Sequence, residues 1–289
     1  MIEIKNVHKS FGRKHVLKGV NFEVPKGQIT ALIGVNGVGK TTLLQHIMRL
    51  TPMDQGEILI DGRKMKSDLF EKVCFIPDSP VMLPEMTIRD SMNFMADYYD
   101  CWNEERALDI LRFFNLKETD RLSDLSKGNV AKANMLFGFA LDTDYILMDE
   151  PFSGVDIFTR EEITNIFSSY LVKDRGVLIT THEINEIEKT VDRVVIIEEG
   201  QIVTTFDVED MRAEKGKSIV DVLSDLHHRG DTLAEFDQHL VDPKAKSPFP
   251  MENFLDDDGF EASAETDDAS PFEQSLEKSK QETMKGEKK

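Results

Sequence analysis

One stretch of eight residues constrains the fold of this chain more than any other. Residues Gly34–Thr41 read Gly-Val-Asn-Gly-Val-Gly-Lys-Thr, which matches the pattern G-x-x-x-x-G-K-[ST]. This pattern follows an apolar run at Ile29–Ile33 and opens a stretch with helical character. Its glycines allow backbone N–H groups to turn inward around phosphates, and the dipole of the following helix adds to the anion field. The sequence therefore predicts a strand, a phosphate-binding P-loop and a helix in succession.

Two side chains of the P-loop carry its specific chemistry. We expect Lys40 to reach the β- and γ-phosphates of a nucleoside triphosphate and Thr41 to ligate Mg²⁺. The residues predicted to contact nucleotide along this segment are Gly34, Asn36, Gly37, Gly39, Lys40, Thr41 and Thr42. The alternative is a chance glycine-rich turn, but the strand, the spacing, the lysine and the threonine all fit the motif.

Short β-rich runs alternate with longer helical stretches, which indicates an α/β core with a largely parallel sheet. The predicted strands are Ile2–Ile4, Ile29–Ile33, Glu57–Ile60, Tyr145–Met148, Gly176–Thr180 and Arg193–Ile197. Further along, apolar residues recur at the spacing of one helix face at Ile219, Val222, Leu223 and Leu226. We expect a last amphipathic helix there that packs back on the core.

Composition and charge argue against several kinds of protein. With 289 residues and 40% hydrophobic content the chain can bury a sizeable core, so a globular protein is expected. A formal net charge of −19 would repel a phosphate backbone, so no nucleic-acid partner is expected. Cys74 and Cys101 lack metal-ligand spacing and favour a reducing compartment such as the cytosol. The apolar runs are too short to cross a bilayer, so any membrane role must come through a partner.

The composition changes beyond a boundary that we place near Gly230. Residues 231–289 hold 16 acidic against 7 basic side chains, with Pro, Ser and Gly scattered throughout. Such a segment cannot bury enough apolar surface to offset its ordering entropy, so we expect a mostly disordered acidic tail. Ser-Pro-Phe occurs twice in it, at 247–249 and 270–272. Chance apolar residues and a docking motif both remain open as explanations.

A second chemical motif is an apolar strand that ends in two carboxylates, Tyr145–Glu150. In a P-loop enzyme, Asp149 would hold Mg²⁺ through its water shell and Glu150 would polarise the attacking water. Alone, the pattern has an innocent alternative, a solvated strand end. With the P-loop upstream, the two motifs together predict a P-loop NTPase.

Three further segments narrow this class. Leu125–Asn129, which reads Leu-Ser-Lys-Gly-Asn, resembles the Leu-Ser-Gly-Gly-Gln signature of the ABC ATPases. Ser153–Asp156 resembles the D-loop of that family, and Thr181-His182-Glu183 resembles its switch histidine. The resemblance runs from about Met1 to about Leu226, in family order and at family spacing. It implies a P-loop NTPase core with a mostly parallel sheet, an antiparallel β subdomain and an inserted α-helical subdomain at about 82–135.

The resemblance also implies roles for single residues. Phe11 matches the aromatic residue that stacks on adenine, with a plain core or surface phenylalanine as the alternative. His182 matches the histidine that contacts the γ-phosphate. Ser126 and Gly128 match signature residues that touch the γ-phosphate of ATP held by an opposite subunit, so a homodimer or heterodimer of ATPase subunits is implied. Ser126 as a simple helix cap is the alternative.

Two departures from the family pattern stand out. Lys127 and Asn129 replace Gly and Gln in the signature, a change that leaves Ser126 and Gly128 in place. Asp78 stands where the Q-loop of the family has its glutamine. A carboxylate there can serve Mg²⁺ or the attacking water, with a shorter reach and a full charge, so we count Asp78 among the expected metal residues.

The family resemblance implies a function and partners. The chain resembles ATPase subunits that energise bacterial-type ABC transporters, in particular exporters of antibiotics, lipids or amphipathic peptides. ATP would be hydrolysed with Mg²⁺, and a transmembrane permease would hold the subunit at the inner face of the plasma membrane. The groove for that permease is expected among Met82, Met86, Met92, Phe94, Met95, Tyr98, Tyr99 and Trp102. The alternatives are a soluble ABC ATPase acting in translation or DNA maintenance and a subunit that has lost hydrolysis, which Glu150 and His182 argue against.

Overall fold

A computed structural model describes residues 1–64, 71–167, 174–182 and 187–226. The predicted boundary near Gly230 and the predicted acidic tail at 231–289 lie outside these residues, as does Glu183. None of the described helices is long and apolar enough to cross a membrane.

The first part of the chain forms a four-stranded antiparallel sheet. Its strands are β1 (Ile2–Phe11), β2 (Lys14–Val24), β4 (Gln55–Ile60) and β5 (Arg63–Lys64), in the order β2-β1-β4-β5. Buried and exposed residues alternate along parts of β1 and β2, as expected for a sheet with one face on the core. This sheet is the antiparallel β subdomain that the resemblance implies.

A six-stranded sheet forms the centre of the fold, in the order β10-β9-β3-β8-β7-β6. Its strands are β3 (Ile29–Ile33), β6 (Val73–Ile76), β7 (Tyr145–Asp149), β8 (Gly176–Thr181), β9 (Arg193–Glu198) and β10 (Gln201–Asp207). All neighbouring pairs are parallel except β9 and β10. The predicted α/β fold with a mostly parallel sheet is confirmed.

The central strands are apolar throughout because both faces of this sheet are covered. Every residue of β3, β7 and β8 is buried. Along β7, Ile146 and Met148 face one apolar cluster, while Tyr145 and Leu147 face another on the opposite side. The central strands are therefore held by packing on both faces of the sheet.

Seven helices are described around the two sheets. They are α1 (Lys40–Ile47), α2 (Ile88–Tyr98), α3 (Glu104–Phe113), α4 (Lys127–Phe139), α5 (Ile157–Phe167), α6 (Val208–Lys215) and α7 (219–226). Helices α2, α3 and α4 are inserted between β6 and β7, and each begins at a side-chain cap, supplied by Thr87, Asn103 and Ser126 respectively. Helix α7 packs on the core through the four predicted apolar residues, of which Ile219 is buried.

Candidate active site

Three predicted segments meet at one edge of the central sheet. Strands β3, β8 and β7 are parallel neighbours, so their carboxyl ends lie side by side. The P-loop follows β3, His182 follows β8, and Glu150 follows β7. The topology thus brings together residues that are up to 148 positions apart in the sequence.

The conformation of the P-loop requires glycine at two positions. Gly39 has a φ of 117°, and a Cβ atom there would lie 2.7 Å from a methyl group of Leu17. A Cβ atom on Gly34 would lie 2.5 Å from the carbonyl oxygen of Ile197. Helix α1 begins directly after Gly39, so the free amides of its first turn face the loop. The loop is shaped to wrap an anion closely.

Lys40 places a buried cation at the centre of the loop. Its side chain is 5% exposed, and its Nζ donates a hydrogen bond to the Gly34 carbonyl at 2.7 Å. The same ammonium forms an ion pair with Glu150 Oε1 at 3.0 Å. This buried cation has one carboxylate partner and lies within a glycine-rich loop. Such an arrangement can also bind a triphosphate.

Glu150 is held between two partners. While Oε1 faces Lys40, Oε2 lies 2.9 Å from Nδ1 of His182. Because the carboxylate can only accept, the tautomer of His182 that carries its proton on Nδ1 makes this hydrogen bond. The backbone of Glu150 has a φ of 44°, in the left-handed region, and its N–H donates to the Thr180 carbonyl at 3.0 Å. The carboxylate is therefore aimed into the site by its own backbone and by His182.

Asp149 is a buried carboxylate with hydroxyl neighbours. It is 3% exposed, and the Thr180 hydroxyl donates to its Oδ1 at 2.5 Å. Burial raises the pKa of Asp149 above its usual value; hydrogen bonds from Thr180 and Thr41 oppose this shift, and the negative charges of Asp78 and Glu150 add to it. A buried carboxylate beside a threonine hydroxyl supplies oxygen ligands of the kind that Mg²⁺ prefers.

A cavity of about 520 Å³ opens beside these groups. Most of the predicted nucleotide and metal residues line it: Phe11, Asn36, Gly37, Gly39, Lys40, Thr41, Thr42, Asp78, Glu150 and His182. The Phe11 ring is half exposed at its rim, with Nζ of Lys9 5.1 Å from the ring centroid. A flat apolar ring at one end and a cation-centred loop at the other suit a purine nucleotide.

The signature residues do not line this cavity. Ser126 caps α4 by accepting a hydrogen bond from the Asn129 backbone N–H at 3.3 Å. Gly128 lies close to the first turn of α5, where an added Cβ atom would be 3.1 Å from Oγ1 of Thr159. Ser126 and Gly128 thus stay apart from the nucleotide cavity of their own chain, as a role toward a second subunit requires.

The loop after β6 is fastened to the signature helix. Nδ2 of Asn134, on α4, donates to the Ser79 carbonyl at 2.8 Å, and its Oδ1 accepts from the Val81 N–H at 3.3 Å. Asn134 is 5% exposed, so these hydrogen bonds satisfy a buried amide. Asp78 is thereby held at the wall shared by the nucleotide cavity and a smaller one of about 200 Å³, which Lys127 and Asp149 also line.

Thr180 is the main site residue that our sequence analysis missed. It is fully buried, donates to Asp149 and accepts from the Glu150 N–H at 3.2 Å, so it positions both acids. The signal was present as the Thr-Thr pair that ends β8 before His182. Ser153, the first residue of the segment that resembles the D-loop, also lines the cavity, as does Lys14, which carried no comparable signal.

The fold and this cavity together define a P-loop nucleotide hydrolase. The profile of the ABC transporter family matches residues 17–153. The petrobactin import ATP-binding protein YclP of Bacillus subtilis is 32% identical over 225 residues, which cover 73% of this chain and 88% of the relative. The Nod factor export ATP-binding protein I of Burkholderia lata is 32% identical over 208 residues, which cover 69% of this chain and 68% of the relative.

Solved structures of ATP-binding proteins from ABC transporters share the fold of this chain. The ATP-binding subunit of an ABC transporter superimposes with a TM-score of 0.71 at 28% identity, over 78% of this chain and 99% of that chain. A dimeric ABC transporter cassette, MJ0796, shares the fold with a TM-score of 0.64 at 24% identity, over 72% of this chain and 98% of that chain. The chain belongs to the ATP-binding subunits of ABC transporters, a family of ATPases.

Proposed function

We propose that this subunit powers an exporter by closing as a pair around ATP, with antibiotics, lipid-like molecules or amphipathic peptides as the exported class. The relatives of highest identity named above include one import and one export protein, so overall similarity does not favour either direction. Support for export comes from the Ile76–Asp78 and Leu125–Gly128 segments, whose sequences resemble those of exporter ATPases.

The position of Glu150 between Lys40 and His182 is the observation that carries the proposed mechanism. In hydrolysis a water oxygen attacks the γ-phosphorus, the bond to the β-γ bridging oxygen breaks, and ADP and phosphate leave. Glu150 accepts the hydrogen bond from the attacking water and His182 keeps the carboxylate in place. The γ-phosphate competes with Glu150 for the Lys40 ammonium, so nucleotide binding frees the carboxylate for the water.

Thr41 and Asp149 would hold Mg²⁺, with Asp78 close by. When bound, Mg²⁺ would neutralise negative charge on the phosphates. Phe11 stacks on the base, while Gly34, Gly37 and Gly39 let the backbone approach the phosphates. These assignments rest on the buried carboxylate, the threonine hydroxyl and the glycine-shaped loop described above.

The second half of each site comes from another subunit. Subunits of this family work with transmembrane permeases and dimerise. We assign Ser126 and Gly128 to the γ-phosphate bound by the opposite subunit, because they lie at the N-terminus of α4 and do not line the nucleotide cavity of their own chain. ATP then joins the two subunits, and hydrolysis releases them.

The substitution Glu150→Gln tests this mechanism. The amide keeps the size of the side chain and its contact with His182 but accepts poorly from water, so turnover should fall by on the order of 10²-fold or more while ATP affinity stays near that of the unmodified chain. The ATP-bound pair should then accumulate. Sizing chromatography with Mg²⁺-ATP and steady-state phosphate release measure the two effects.

Lys40→Ala serves as the matched control, because it should lose nucleotide binding before chemistry is reached. It should therefore remain monomeric with or without ATP. A Glu150→Gln protein that stays monomeric with unchanged turnover contradicts the role given to Glu150.

A further inference from the structure

A buried lysine contacts the aromatic ring to which we assign the adenine base. Lys9 is 8% exposed, and its Nζ lies 5.1 Å from the centroid of the Phe11 ring. Phe11 is 51% exposed at the rim of the nucleotide cavity, whereas Lys9 does not line that cavity. A cation at this distance is attracted to the negative face of an aromatic ring. The contact therefore joins a buried charged group to an exposed ring.

The ammonium of Lys9 is fixed by the segment between α1 and β4. Its Nζ donates to the Pro52 carbonyl at 2.5 Å and lies 3.4 Å from Oδ1 of Asp54. The other carboxylate oxygen of Asp54 accepts from the Ser10 N–H at 2.7 Å. This hydrogen bond is the main cause that lowers the pKa of Asp54, so an ionised carboxylate faces the ammonium. Charge-assisted hydrogen bonds of this kind hold a lysine side chain in one orientation.

The same segment is fastened to the helix that follows the P-loop. His46, which is 2% exposed in the last turn of α1, lies with its Nδ1 2.8 Å from the Thr51 carbonyl oxygen. The tautomer that carries its proton on Nδ1 donates this hydrogen bond. The Thr51 hydroxyl donates to Oε1 of Gln45 at 3.2 Å. Because α1 begins at Lys40, a continuous series of contacts runs from the P-loop through α1 and residues 51–54 to the ring.

We propose that Lys9 is a positioning residue for base recognition: it holds the Phe11 ring where an adenine can stack while the P-loop binds the phosphates. This inference rests on the proposed function, because Phe11 is the ring to which we assign the base. A half-exposed phenylalanine at the end of a strand samples several rotamers when nothing restrains it. Fixing the ring before nucleotide arrives removes that ordering cost from binding.

The test compares ATP with inorganic tripolyphosphate, which can occupy the P-loop but has no base. Lys9→Gln removes the charge at the ring and keeps an N–H donor for the Pro52 carbonyl. Calorimetric titration of the full chain should show that the Kd of Mg²⁺-ATP rises on the order of 5-fold, while the Kd of Mg²⁺-tripolyphosphate stays unchanged.

Steady-state kinetics give a second readout of the same variant. The KM for ATP should rise by a similar factor, with kcat at saturating ATP unchanged, because the ring contacts the base and not the reacting phosphate. A general loss of stability would not produce this split between KM and kcat.

Lys5→Gln is the matched control, because Lys5 is an exposed lysine on the same strand that pairs with Glu3 and lies outside the cavity. It should leave both Kd values unchanged. Asp54→Asn is a second variant: it removes the charge that faces Lys9, while its amide oxygen can still accept from the Ser10 N–H. It should raise the Kd of ATP about 2-fold or more without affecting tripolyphosphate, and it decides the test if Lys9→Gln does not fold.

Phe11→Ala separates failure of this inference from failure of the proposed function. If Phe11→Ala leaves the preference for ATP over tripolyphosphate unchanged, the ring does not hold the base, and both the adenine contact and the role of Lys9 are wrong. If Phe11→Ala reduces that preference and Lys9→Gln does not, only the role of Lys9 is wrong.

The double variant shows whether Lys9 acts through the ring. Added to Phe11→Ala, Lys9→Gln should cause no further loss of ATP affinity. A further loss of the same size, or an equal loss of tripolyphosphate affinity in the single variant, would show that Lys9 supports the fold in general and would overturn the proposal.

Discussion

Two charged side chains and one histidine are linked across the site. Lys40, Glu150 and His182 form a continuous chain of contacts at 3.0 Å and 2.9 Å. The two motif residues that the sequence placed apart, Lys40 and Glu150, neutralise each other in the buried part of the site. A buried lysine without an anionic partner would be costly, so the Glu150 carboxylate stabilises the Lys40 ammonium.

Asp78 lines both the nucleotide cavity and the smaller cavity next to Asp149. Asp78→Gln should leave folding and ATP binding unchanged, because Asn134 holds the loop through its backbone. It should raise the Mg²⁺ concentration for half-maximal hydrolysis on the order of 10-fold, since one negative charge near Asp149 is lost. Phosphate release across a Mg²⁺ titration measures the shift.

Asp109→Asn, which removes an exposed charge on α3, is the control and should leave the Mg²⁺ curve unmoved. If the curves of Asp78→Gln and the unmodified chain overlay, Asp78 has no part in metal binding.

At this scale the sequence named motif residues that line the cavity but not the residues that support them. Lys40 and Glu150 belong to spaced patterns whose chemistry requires those residue types. Thr180 and Asn134 act through hydrogen bonds to residues 30 or more positions away, and no local pattern encodes such pairs. Thr180 reaches Asp149 because β8 pairs with β7, and Asn134 reaches Ser79 because α4 contacts β6.

At the scale of elements, α2 separates the methionines and aromatics that the sequence could not sort. Met92 and Met95 are buried three residues apart on its inner face. Phe94 and Tyr98 are exposed four residues apart on the outer face, with ring centroids 4.4 Å apart. A cavity of about 400 Å³ lies beside this helix. Leu50, Phe94 and Tyr99 are among the residues that line it.

This cavity is our candidate groove for the permease. Phe94→Asp should abolish copurification of a polytopic membrane protein from detergent-solubilised membranes, because a charge would enter an apolar contact. The ATPase activity of the isolated chain should stay within about two-fold, since Phe94 lies outside the nucleotide cavity.

Phe113→Asp is the matched control: Phe113 is a comparably exposed phenylalanine, on α3, that does not line the groove. Equal recovery of the membrane protein with both variants would remove the groove assignment. Recovery of ribosomal proteins or DNA with the unmodified chain would contradict the transport proposal itself.

All six strands proposed from apolar runs exist. Three of them, β3, β7 and β8, are buried throughout, because strands covered on both faces need apolar residues throughout. Strands β2, β5, β6 and β10 were not predicted. In β2 most residues are only partly buried or exposed, and register shifts against β1 interrupt its pairing. Edge and half-exposed strands leave weaker patterns than central ones.

At the scale of the whole described region, one cluster of charges joins the two sheets. Asp61, between β4 and β5, accepts from the N-terminal amine at 2.8 Å and from the Tyr145 hydroxyl of β7 at 2.5 Å. Lys26 lies 3.6 Å from Asp61 and 3.1 Å from Asp144. Burial tends to raise the pKa of Asp61, but the N-terminal amine, Tyr145 and Lys26 outweigh it and lower the pKa to about 2.

The cluster gives a stability contribution with a defined pH window. Because the folded-state pKa of Asp61 is below its ordinary value, its ionised form stabilises the fold at pH values above about 4, and this contribution is lost as the pH falls from about 4 to about 2. After discounting for solvent screening, Asp61→Asn should lower the free energy of unfolding by about 1–2 kcal/mol at pH 7.

Urea unfolding at a series of pH values measures this difference. It should stay constant from pH 7 to about 4.5 and narrow below that range. Asp97→Asn, an exposed acid on α2, should show no such difference. If the two chains have the same free energy of unfolding at pH 7, or if the difference persists unchanged to pH 3, Asp61 does not link the sheets.

The acidic tail stays a prediction from composition alone.

The left-handed backbone at Glu150 sets two stability terms against each other at one position. A residue with a side chain costs about 1–2 kcal/mol in that region relative to glycine, whereas the carboxylate of Glu150 stabilises the buried Lys40 ammonium at 3.0 Å. A glycine at residue 150 would relieve the backbone but leave the buried lysine without its carboxylate partner. Selection for a robust subunit and selection for a working one therefore both retain the carboxylate at this position.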